Sequence, residues 1–383
     1  MNPLAIYIHY PFCKSKCPYC DFNSHLNDNN ITHQEFLSGY LTELEYFKNI
    51  IGNRNITSIF FGGGTPSLMP LNTINKILQK INNLWHIENN AEITLEANPT
   101  SSEAKKFKSL ISLGINRLSI GIQALNDPDL KFLGRQHSAK EALETIKIVQ
   151  KYFNNFSFDL IYARPKQTLS SWQHELEQAL NLGSPHLSLY QLTIEKGTPF
   201  FKDYKTNKFT LPNQDLQHDL YDLTTELCNK FGLDSYEISN YSKPDYHSKH
   251  NLTYWHYKDY LGIGAGSHSR ITINSQKRSL INYHLPKKWL NNISKQQNAI
   301  QSSKLLTKSD IFTETILMGL RTKFGIEKQQ ILNYLDQENQ KTFLERITHL
   351  NTEKLISENN QYIHTTYQGS KLLNSLCHYL TSL

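Results

Sequence analysis

The stretch HYPFCKSKCPYCDF, at residues 9–22, groups three of the chain's five cysteines within eight positions. Cys13, Cys17 and Cys20 are separated by three and then two residues, so a short loop can present all three thiolates to one small object. Such clustering does not resemble a disulfide framework and favours metal binding. This stretch also directly follows an apolar, strand-like run at Leu4–His9, which places the loop at the end of a first strand.

Two kinds of metal centre are compatible with this spacing. Iron–sulfur clusters are held by cysteine thiolates, four of them for a cubane, so three thiolates would leave one iron with an open coordination position. The alternative is a structural zinc site that uses His9 or His25 as a fourth ligand. The spacing alone leaves both open.

Six short runs along the first half of the chain have the composition of buried strands. They are mostly apolar and contain β-branched or aromatic residues, as strands covered on both faces do. Helix-start signals lie between them, and Thr32–Glu35 and Ser138–Glu141 both fit the capping box. The predicted strands are Leu4–His9, Ile56–Phe61, Ala91–Glu96, Arg117–Gln123, Phe156–Tyr162 and His186–Leu192.

This alternation of strands and helices predicts an α/β fold with a parallel sheet and crossover helices. An open doubly wound sheet would concentrate its ligand contacts at one switch point. Here the polar candidate residues follow several different strands, as at the mouth of a (β/α) barrel. We therefore predict a partial, TIM-like (β/α)6 barrel.

The composition changes after about residue 300. We predict a partial-barrel domain at residues 1–300 and a small, mainly helical, winged-helix-like domain at residues 301–383. The predicted elements of the second domain are helices at Asp310–Arg321, Lys328–Leu335 and Gln340–Leu350 and a hairpin near Ile356–His364.

The overall composition is that of a globular protein, with 38% hydrophobic and 19% charged residues. The formal net charge of +6 is spread along the chain, which argues against a dedicated nucleic-acid-binding arm. It leaves room for weak attraction to anionic ligands or to a membrane surface. The sequence shows neither a signal peptide nor an apolar run of about 20 residues, so we expect a cytoplasmic location.

Polar and glycine residues gather where the predicted strands end. The run Phe61–Pro66 contains three consecutive glycines, which let a main chain approach a ligand closely. Carboxylates and amides suit ribose hydroxyls, and an arginine fork suits a carboxylate. Taken singly, each is more often a structural residue, but together they predict a ligand site: Glu96, Gln123, Arg135 and Asp159.

With these residues in view, the sequence resembles the coproporphyrinogen III dehydrogenase-like branch of the radical S-adenosylmethionine (SAM) superfamily, and within it the HemW-type haem chaperones. The resemblance is carried by Tyr7–Phe22, Phe61–Ser67, Asn116–Gln123, Gly134–His137, Asp159–Tyr162 and Leu187–Phe200. It implies a [4Fe–4S] cluster on Cys13, Cys17 and Cys20. It also implies SAM contacts from Tyr7, Tyr19, Phe22, Gly63, Gly64, Thr65, Glu96, Gln123, Arg135 and Asp159.

Two features favour the chaperone side of this branch. The dehydrogenases carry a fourth cysteine two residues after the third, and here that position is Phe22. The run His250–Trp255, within residues 235–270, is similar to the H-N-x-x-Y-W motif associated with haem binding, which makes His250 the expected haem contact. His247, His256 and His268 are rival ligands close in sequence.

One departure from the family pattern concerns the loop after the fifth predicted strand. The family usually has Gly-Leu-Pro there, and this chain has Ala163-Arg164-Pro165. Arg164 could contact an anionic ligand at the barrel mouth or point into solvent, and the sequence does not decide between these.

Two functions follow from the resemblance. The first is a haem chaperone that takes up haem as cargo and delivers it to apo-haemoproteins, expected to be respiratory. The second is an enzyme, an oxygen-independent coproporphyrinogen III dehydrogenase that carries out a radical oxidative decarboxylation in haem biosynthesis. Phe22 and the His250 motif favour the chaperone, and whether the chain is an enzyme stays open.

Overall fold

The computed structural model describes residues 2–26, 31–104 and 106–383. Its strands are β1 Pro3–Tyr10, β2 Phe12–Cys13, β3 His25–Leu26, β4 Asn55–Gly63, β5 His86–Ala97, β6 Arg117–Gln123, β7 Phe156–Tyr162, β8 His186–Gln191, β9 Asp234–Glu237, β10 Asn240–Ser242, β11 Tyr260–Ile263, β12 His268–Ile273, β13 Gln276–Asn282, β14 Ile300–Leu305, β15 Ile326–Glu327, β16 Ile356–Glu358 and β17 Tyr362–Thr365. Its α-helices are α1 His33–Ile51, α2 Leu71–Leu84, α3 Ser101–Ala104, α4 Phe107–Ser112, α5 Asp127–Phe132, α6 Ala139–Tyr152, α7 Leu169–Asn181, α8 Pro199–Lys205, α9 Gln214–Lys230, α10 Lys249–Trp255, α11 Pro286–Gln296, α12 Lys308–Gly319, α13 Lys328–Leu332, α14 Gln337–Thr352, α15 Tyr367–Lys371 and α16 Leu373–Thr381.

One mixed sheet of twelve strands organises most of the chain. Its order is β14-β13-β12-β11-β1-β4-β5-β6-β7-β8-β10-β9. The six predicted strands correspond to β1, β4, β5, β6, β7 and β8, which lie side by side and pair in parallel. Within the described residues the sheet does not close, so the prediction of a partial barrel is confirmed.

Burial explains why these segments form strands and why their helices pack on them. Strand β1 has the buried residues Leu4, Ile6 and Ile8. Helix α1 begins at a capping box on Thr32, in which the Thr32 and Glu35 side chains satisfy each other's backbone N–H groups. The capping box at Ser138 is likewise present. Both sequence predictions of helix starts are confirmed.

The sheet is extended at both ends by strands that the sequence did not predict. Strand β11 pairs in parallel with β1, and β12, β13 and β14 continue from it antiparallel. At the other end, β10 pairs antiparallel with β8 and β9. The predicted motif region at residues 235–270 therefore contributes strands on both sides of the six parallel ones, with β9 and β10 beyond β8 and β11 beside β1, and it includes α10.

Glu43 of α1 holds this extension in place from inside the core. Its carboxylate accepts hydrogen bonds from the Gly264 backbone N–H at 2.8 Å, from Asn282 Nδ2 at 2.7 Å and from Trp289 Nε1 at 3.2 Å. Burial outweighs these bonds and raises the pKa of Glu43 to about 8, from an ordinary value of 4.5.

This carboxyl group makes protein stability depend on pH. The folded protein keeps the Glu43 proton at pH values where the unfolded chain has lost it. The stabilisation is therefore fully present below about pH 4.5 and is lost as pH rises to about 8. We expect the urea midpoint to fall over that window, and to fall less in Glu43→Gln. Glu45→Gln, on the exposed side of the same helix, is the control, and equal slopes in all three proteins would contradict the expectation.

The C-terminal segment has a core of its own. A three-stranded antiparallel sheet, in the order β15-β17-β16, packs with α12, α14 and α16 around Phe312, Phe343 and Leu380. The predicted helices and hairpin are all present, and the winged-helix-like character is confirmed. The boundary between residues 300 and 301 stays a prediction, and β14, which spans it, pairs with β13 in the large sheet.

None of the described helices has both the length and the apolar character needed to cross a bilayer.

Candidate cluster and SAM site

The carboxyl ends of the parallel strands meet at one edge of the sheet and surround a cavity of about 1030 Å³. We call it the thiol cavity, because all three clustered cysteines line it. The other predicted site residues in its wall are Tyr19, Phe22, Gly63, Gly64, Thr65, Glu96, Gln123, Arg135 and Asp159. Tyr7 and His250 are the predicted residues that the structure does not bring to this wall.

The cysteine loop is held at both ends by main-chain hydrogen bonds. Strand β2 pairs with β3, and the His25 N–H donates to the Pro11 carbonyl at 2.7 Å. Cys13, Cys17 and Cys20 are partly exposed free thiols, and burial raises the pKa of the Cys13 and Cys20 thiols. Within the described ranges, no three histidine, cysteine or acidic side chains converge as ligands of one metal ion.

The two imidazoles that a zinc site would need are already engaged elsewhere. The His9 ring hydrogen-bonds to the Tyr7 hydroxyl at 3.1 Å and to the Asn23 carbonyl at 2.9 Å. The His25 ring hydrogen-bonds to Asn23 Oδ1 at 3.0 Å. Neither His9 nor His25 lines the thiol cavity, so neither stands beside the three thiols as a fourth ligand, and the arrangement fits a cluster with one open iron position better than the zinc site raised by the sequence.

A chain of side-chain hydrogen bonds joins two of the thiols around the rim of the cavity. Thr65 Oγ1 donates to Cys13 Sγ at 3.5 Å, and Asn98 Nδ2 donates to Thr65 Oγ1 at 3.1 Å. Arg135 Nη2 donates to Asn98 Oδ1 at 2.6 Å, while Arg135 Nη1 donates to Cys17 Sγ at 3.4 Å. Sequence reasoning missed Asn98, since an asparagine after a strand carries no signal of its own.

The contacts of Arg135 differ in part from those expected from the sequence. Its Nη2 also donates to the Gly121 carbonyl at 2.7 Å, so both terminal nitrogens have protein partners, and the buried Nε has none. The guanidinium places a positive charge beside the Cys17 sulfur. The fork holds the cysteine loop against β6, and its contact with a ligand carboxylate stays a prediction.

The glycine run packs directly against the cysteine loop. The Gly64 N–H donates to the Tyr10 carbonyl at 2.7 Å, and a Cβ on Gly64 would meet the Phe12 carbonyl oxygen at 2.6 Å. Gly63 has a φ of 112°, in the region that favours glycine, and a Cβ there would meet the His9 ring at 2.5 Å. These glycines therefore let the main chain approach its own cysteine strand as well as a ligand.

The acidic side of the cavity is formed by Glu96 and Asp159. Glu96 accepts a hydrogen bond from the Gly63 N–H at 3.1 Å, and burial, together with Asp159, raises the pKa of Glu96 to about 8. Burial raises the pKa of Asp159 to about 6, although Ser188, Arg117 and Arg135 act against it. Gln123, at the end of β6, has a φ of 75°, a strained backbone of the kind that clusters at functional sites.

A second cavity, of about 830 Å³, lies on the other side of the cysteine loop. We call it the aromatic cavity, because Tyr7, Phe22, Tyr254, Trp255, Tyr257 and Tyr260 line it. Gly63, Glu96 and Phe22 belong to the walls of both cavities. Tyr7 therefore lies next to the thiol cavity but faces the aromatic one.

His250 is not in the wall of either cavity. It is 1% exposed, and its ring bonds to Ser58 Oγ at 2.9 Å and to the Tyr254 hydroxyl at 2.6 Å. Burial lowers the pKa of His250 to about 3, so the imidazole is neutral. Of the H-N-x-x-Y-W motif, Tyr254 and Trp255 reach the aromatic cavity while His250 lies behind them.

Arg164 is neither at the barrel mouth nor in solvent. It is 1% exposed and forms a two-nitrogen ion pair with Glu175, with Asp129 Oδ2 at 3.2 Å from Nη2. Both alternatives raised by the sequence are therefore wrong, because the charge is neutralised inside the fold.

Comparison with known proteins agrees with this arrangement. The family model of the radical SAM superfamily matches residues 7–179, and that of the HemN C-terminal domain matches residues 306–372. Heme chaperone HemW of Haemophilus influenzae is 37% identical over 98% of this chain and 97% of its own length. The chain belongs to the HemW family of radical SAM proteins.

Further members and the fold support this assignment. Heme chaperone HemW of Buchnera aphidicola subsp. Schizaphis graminum is 35% identical over 98% of both chains. The solved structure of coproporphyrinogen III oxidase (HemN) from Escherichia coli covers 100% of this chain and 90% of its own, with a TM-score of 0.83 and 21% identity. That likeness shows a shared fold. Membership of the HemW family and the radical SAM superfamily implies a [4Fe–4S] cluster and SAM.

Proposed function

We propose that the protein is a haem chaperone, which binds haem as cargo and transfers it to apo-haemoproteins of the respiratory type. The observation that carries the proposal is its similarity, along 97–98% of both chains, to proteins named heme chaperone. Phe22, at the position of the dehydrogenases' fourth cysteine, supports the same choice. The likeness to the coproporphyrinogen III oxidase structure is one of fold and does not favour that activity.

We propose that Cys13, Cys17 and Cys20 hold the cluster and that the thiol cavity holds SAM. The three partly exposed thiols fit the cluster, and the glycine run and the buried carboxylates fit a ligand with an amino group and hydroxyls. When bound, the cluster and SAM supply one-electron chemistry at the open iron position. Tyr7, which lines the neighbouring aromatic cavity, is proposed as a further SAM contact. The proposed SAM contacts in the thiol cavity are Tyr19, Phe22, Gly63, Gly64, Thr65, Glu96, Gln123, Arg135 and Asp159.

The main effect of this chain's own residues would be to orient the cluster and SAM and to shield them from solvent. Arg135 and Thr65 donate hydrogen bonds to the sulfur atoms of Cys17 and Cys13, which fixes the positions of two of the proposed cluster ligands. Glu96 and Asp159 sit deep beside the glycine run, where a positively charged amino group would favour their ionised forms. We propose a cytoplasmic location, and a weak attraction of the net positive chain to membranes that carry the haem-accepting partners.

Two parallel assays test the proposal on the anaerobically reconstituted protein. In the first, haem is titrated in, its Soret band is recorded, and the loaded protein is mixed with an apo-cytochrome b to follow haem transfer. In the second, SAM, reductant and coproporphyrinogen III are supplied, and protoporphyrinogen IX is measured. We expect stoichiometric haem binding and transfer without catalytic product formation. Product at catalytic rates would overturn the chaperone proposal.

Gly64→Ala should weaken SAM binding without removing the cysteines. Its new Cβ would collide with the Phe12 carbonyl, which is backbone and cannot swing away, so the cysteine loop must shift. We expect a displacement of about 1 Å in the site to raise the SAM dissociation constant on the order of 100-fold. Gly183→Ala, whose φ of 71° strains an alanine but whose Cβ meets nothing within 4 Å, is the control for a general loss of stability, and its SAM affinity should match the wild type when both are measured by calorimetry. Equal affinities in Gly64→Ala and the wild type would contradict the proposed SAM position.

A further inference from the structure

The aromatic cavity has the size and the walls that a flat apolar ligand requires. Its volume of about 830 Å³ lies within the range of roughly 300–1,000 Å³ that is usual for small-molecule sites. Phe22 is 59% exposed at its edge, although it is a large apolar side chain next to a polar loop. Tyr254 and Tyr260 stand edge to face at 4.5 Å and form a rigid part of the wall.

Four histidines line this cavity, and they differ in what their rings contact. His9 and His25 are held by hydrogen bonds to neighbouring residues. His268, at the start of β12, and His284, after β13, have no ring hydrogen bond within the described part of the chain. Their ring centroids are 6.4 Å apart, so one ligand can contact both.

Two cationic side chains that line the same cavity differ in their partners. Arg270 is paired with Glu314 of α12 through bonds of 2.7 Å and 2.9 Å. Lys16, on the cysteine loop, has no carboxylate partner among the described residues and donates to the Ser24 carbonyl. The positive charge of Lys16 suits a propionate group of haem.

We propose that haem binds in the aromatic cavity and that its iron is ligated from the His268/His284 pair. The inference rests on the proposed chaperone function and locates its cargo. His250, the ligand expected from the sequence motif, has both ring nitrogens engaged and lies behind Tyr254. In this arrangement Tyr254 and Trp255 form the wall against which the porphyrin packs, and His250 positions Tyr254.

The proposed position has a consequence for regulation. Gly63, Glu96 and Phe22 contribute to both cavities, so a ligand in one changes the surface offered to the other. Any such coupling is reciprocal: if SAM changes the haem affinity, haem changes the SAM affinity by the same factor.

The test is a haem titration of the full-length, cluster-loaded protein followed by absorption and by electron paramagnetic resonance of ferric haem. The double variant His268→Ala/His284→Ala should raise the haem dissociation constant by roughly tenfold or more and change the Soret position, because a metal ligand is lost. His174→Ala/His378→Ala removes two exposed histidines of outer helices α7 and α16 and should behave as the wild type. Circular dichroism and iron content confirm folding, and His268→Gln/His284→Gln replaces the alanine pair if that pair does not fold.

The outcomes separate this inference from the function on which it rests. If the wild type itself binds no haem, the chaperone proposal fails. If the wild type binds haem and the histidine pair can be removed with no change in affinity or spectrum, the proposed site is wrong while the chaperone function stands. In the second case the donor atom lies elsewhere, with Met318 of α12, which also lines the cavity, and His250 as the next residues to replace.

Discussion

Replacing Cys17 with alanine is expected to abolish the iron–sulfur cluster. Anaerobically reconstituted wild-type protein should contain about four irons and four sulfides per chain, and the variant close to none, because two thiolates cannot retain a cubane. Cys17 is also the thiol that receives the Arg135 hydrogen bond, so its loss ends the chain of contacts from Cys13 through Thr65 and Asn98. Iron and acid-labile sulfide assays, with the visible absorption of the cluster, measure the effect.

The matched control uses a cysteine outside the loop. Cys228 on α9 is 0% exposed in the hydrophobic core and does not line the thiol cavity. Cys228→Ala should lose some stability from the missing sulfur but keep its iron and sulfide. Full cluster content in Cys17→Ala, or a loss in Cys228→Ala as large as in Cys17→Ala, would contradict the assignment of Cys17 as a cluster ligand.

Arg164→Met is expected to destabilise the fold by about 3–5 kcal/mol, the usual cost of breaking a buried ion pair by removing one partner. The substitution leaves the carboxylate of Glu175, which also accepts the Leu125 N–H at 2.7 Å, inside the protein without its cation. Because that charge causes the damage, the double variant Arg164→Met/Glu175→Gln should be more stable than the single one. Urea unfolding followed by circular dichroism gives both values.

An exposed ion pair provides the control for this effect. Lys230 and Glu226 pair on α9 with side chains that are 62% and 61% exposed, and such pairs contribute about 0–1 kcal/mol. Lys230→Met should therefore leave the urea midpoint nearly unchanged. If Arg164→Met behaves like Lys230→Met, or if the added Glu175→Gln substitution makes it worse, the buried pair does not have the proposed energetic role.

The sequence predicted those features of the fold that depend on neighbours along the chain. The six parallel strands are mostly apolar runs, as buried strands are, and both predicted boundaries of five of them lie within two residues of the observed ones. The exception is β5, which begins at His86 where the prediction began at Ala91, since His86 and Ile87 already pair with β4 ahead of a register shift. The capping boxes were predictable for the same reason, since each is complete within four residues.

Contacts between distant segments could not be predicted. Nothing near Arg164 in the sequence indicates that Asp129 and Glu175 neutralise it. The placement of His250 behind Tyr254 depends on Ser58, which lies 192 residues away, so a motif similar to a haem site gave no information on which of its side chains faces a cavity. His284 gave no sequence signal, and His268 was only one of three rivals to His250, until the folding of β12 and β13 against the cysteine loop brought both to one wall.

The central claim is that three thiolates leave one position of a cluster open for SAM at the edge of the sheet. The most direct measurement is the electron paramagnetic resonance spectrum of the reduced, reconstituted protein, recorded with and without SAM. We predict a [4Fe–4S] signal whose shape changes when SAM is added, and no such signal in Cys17→Ala. Protein that contains zinc and no acid-labile sulfide, or a cluster signal that SAM leaves unchanged, would contradict the account.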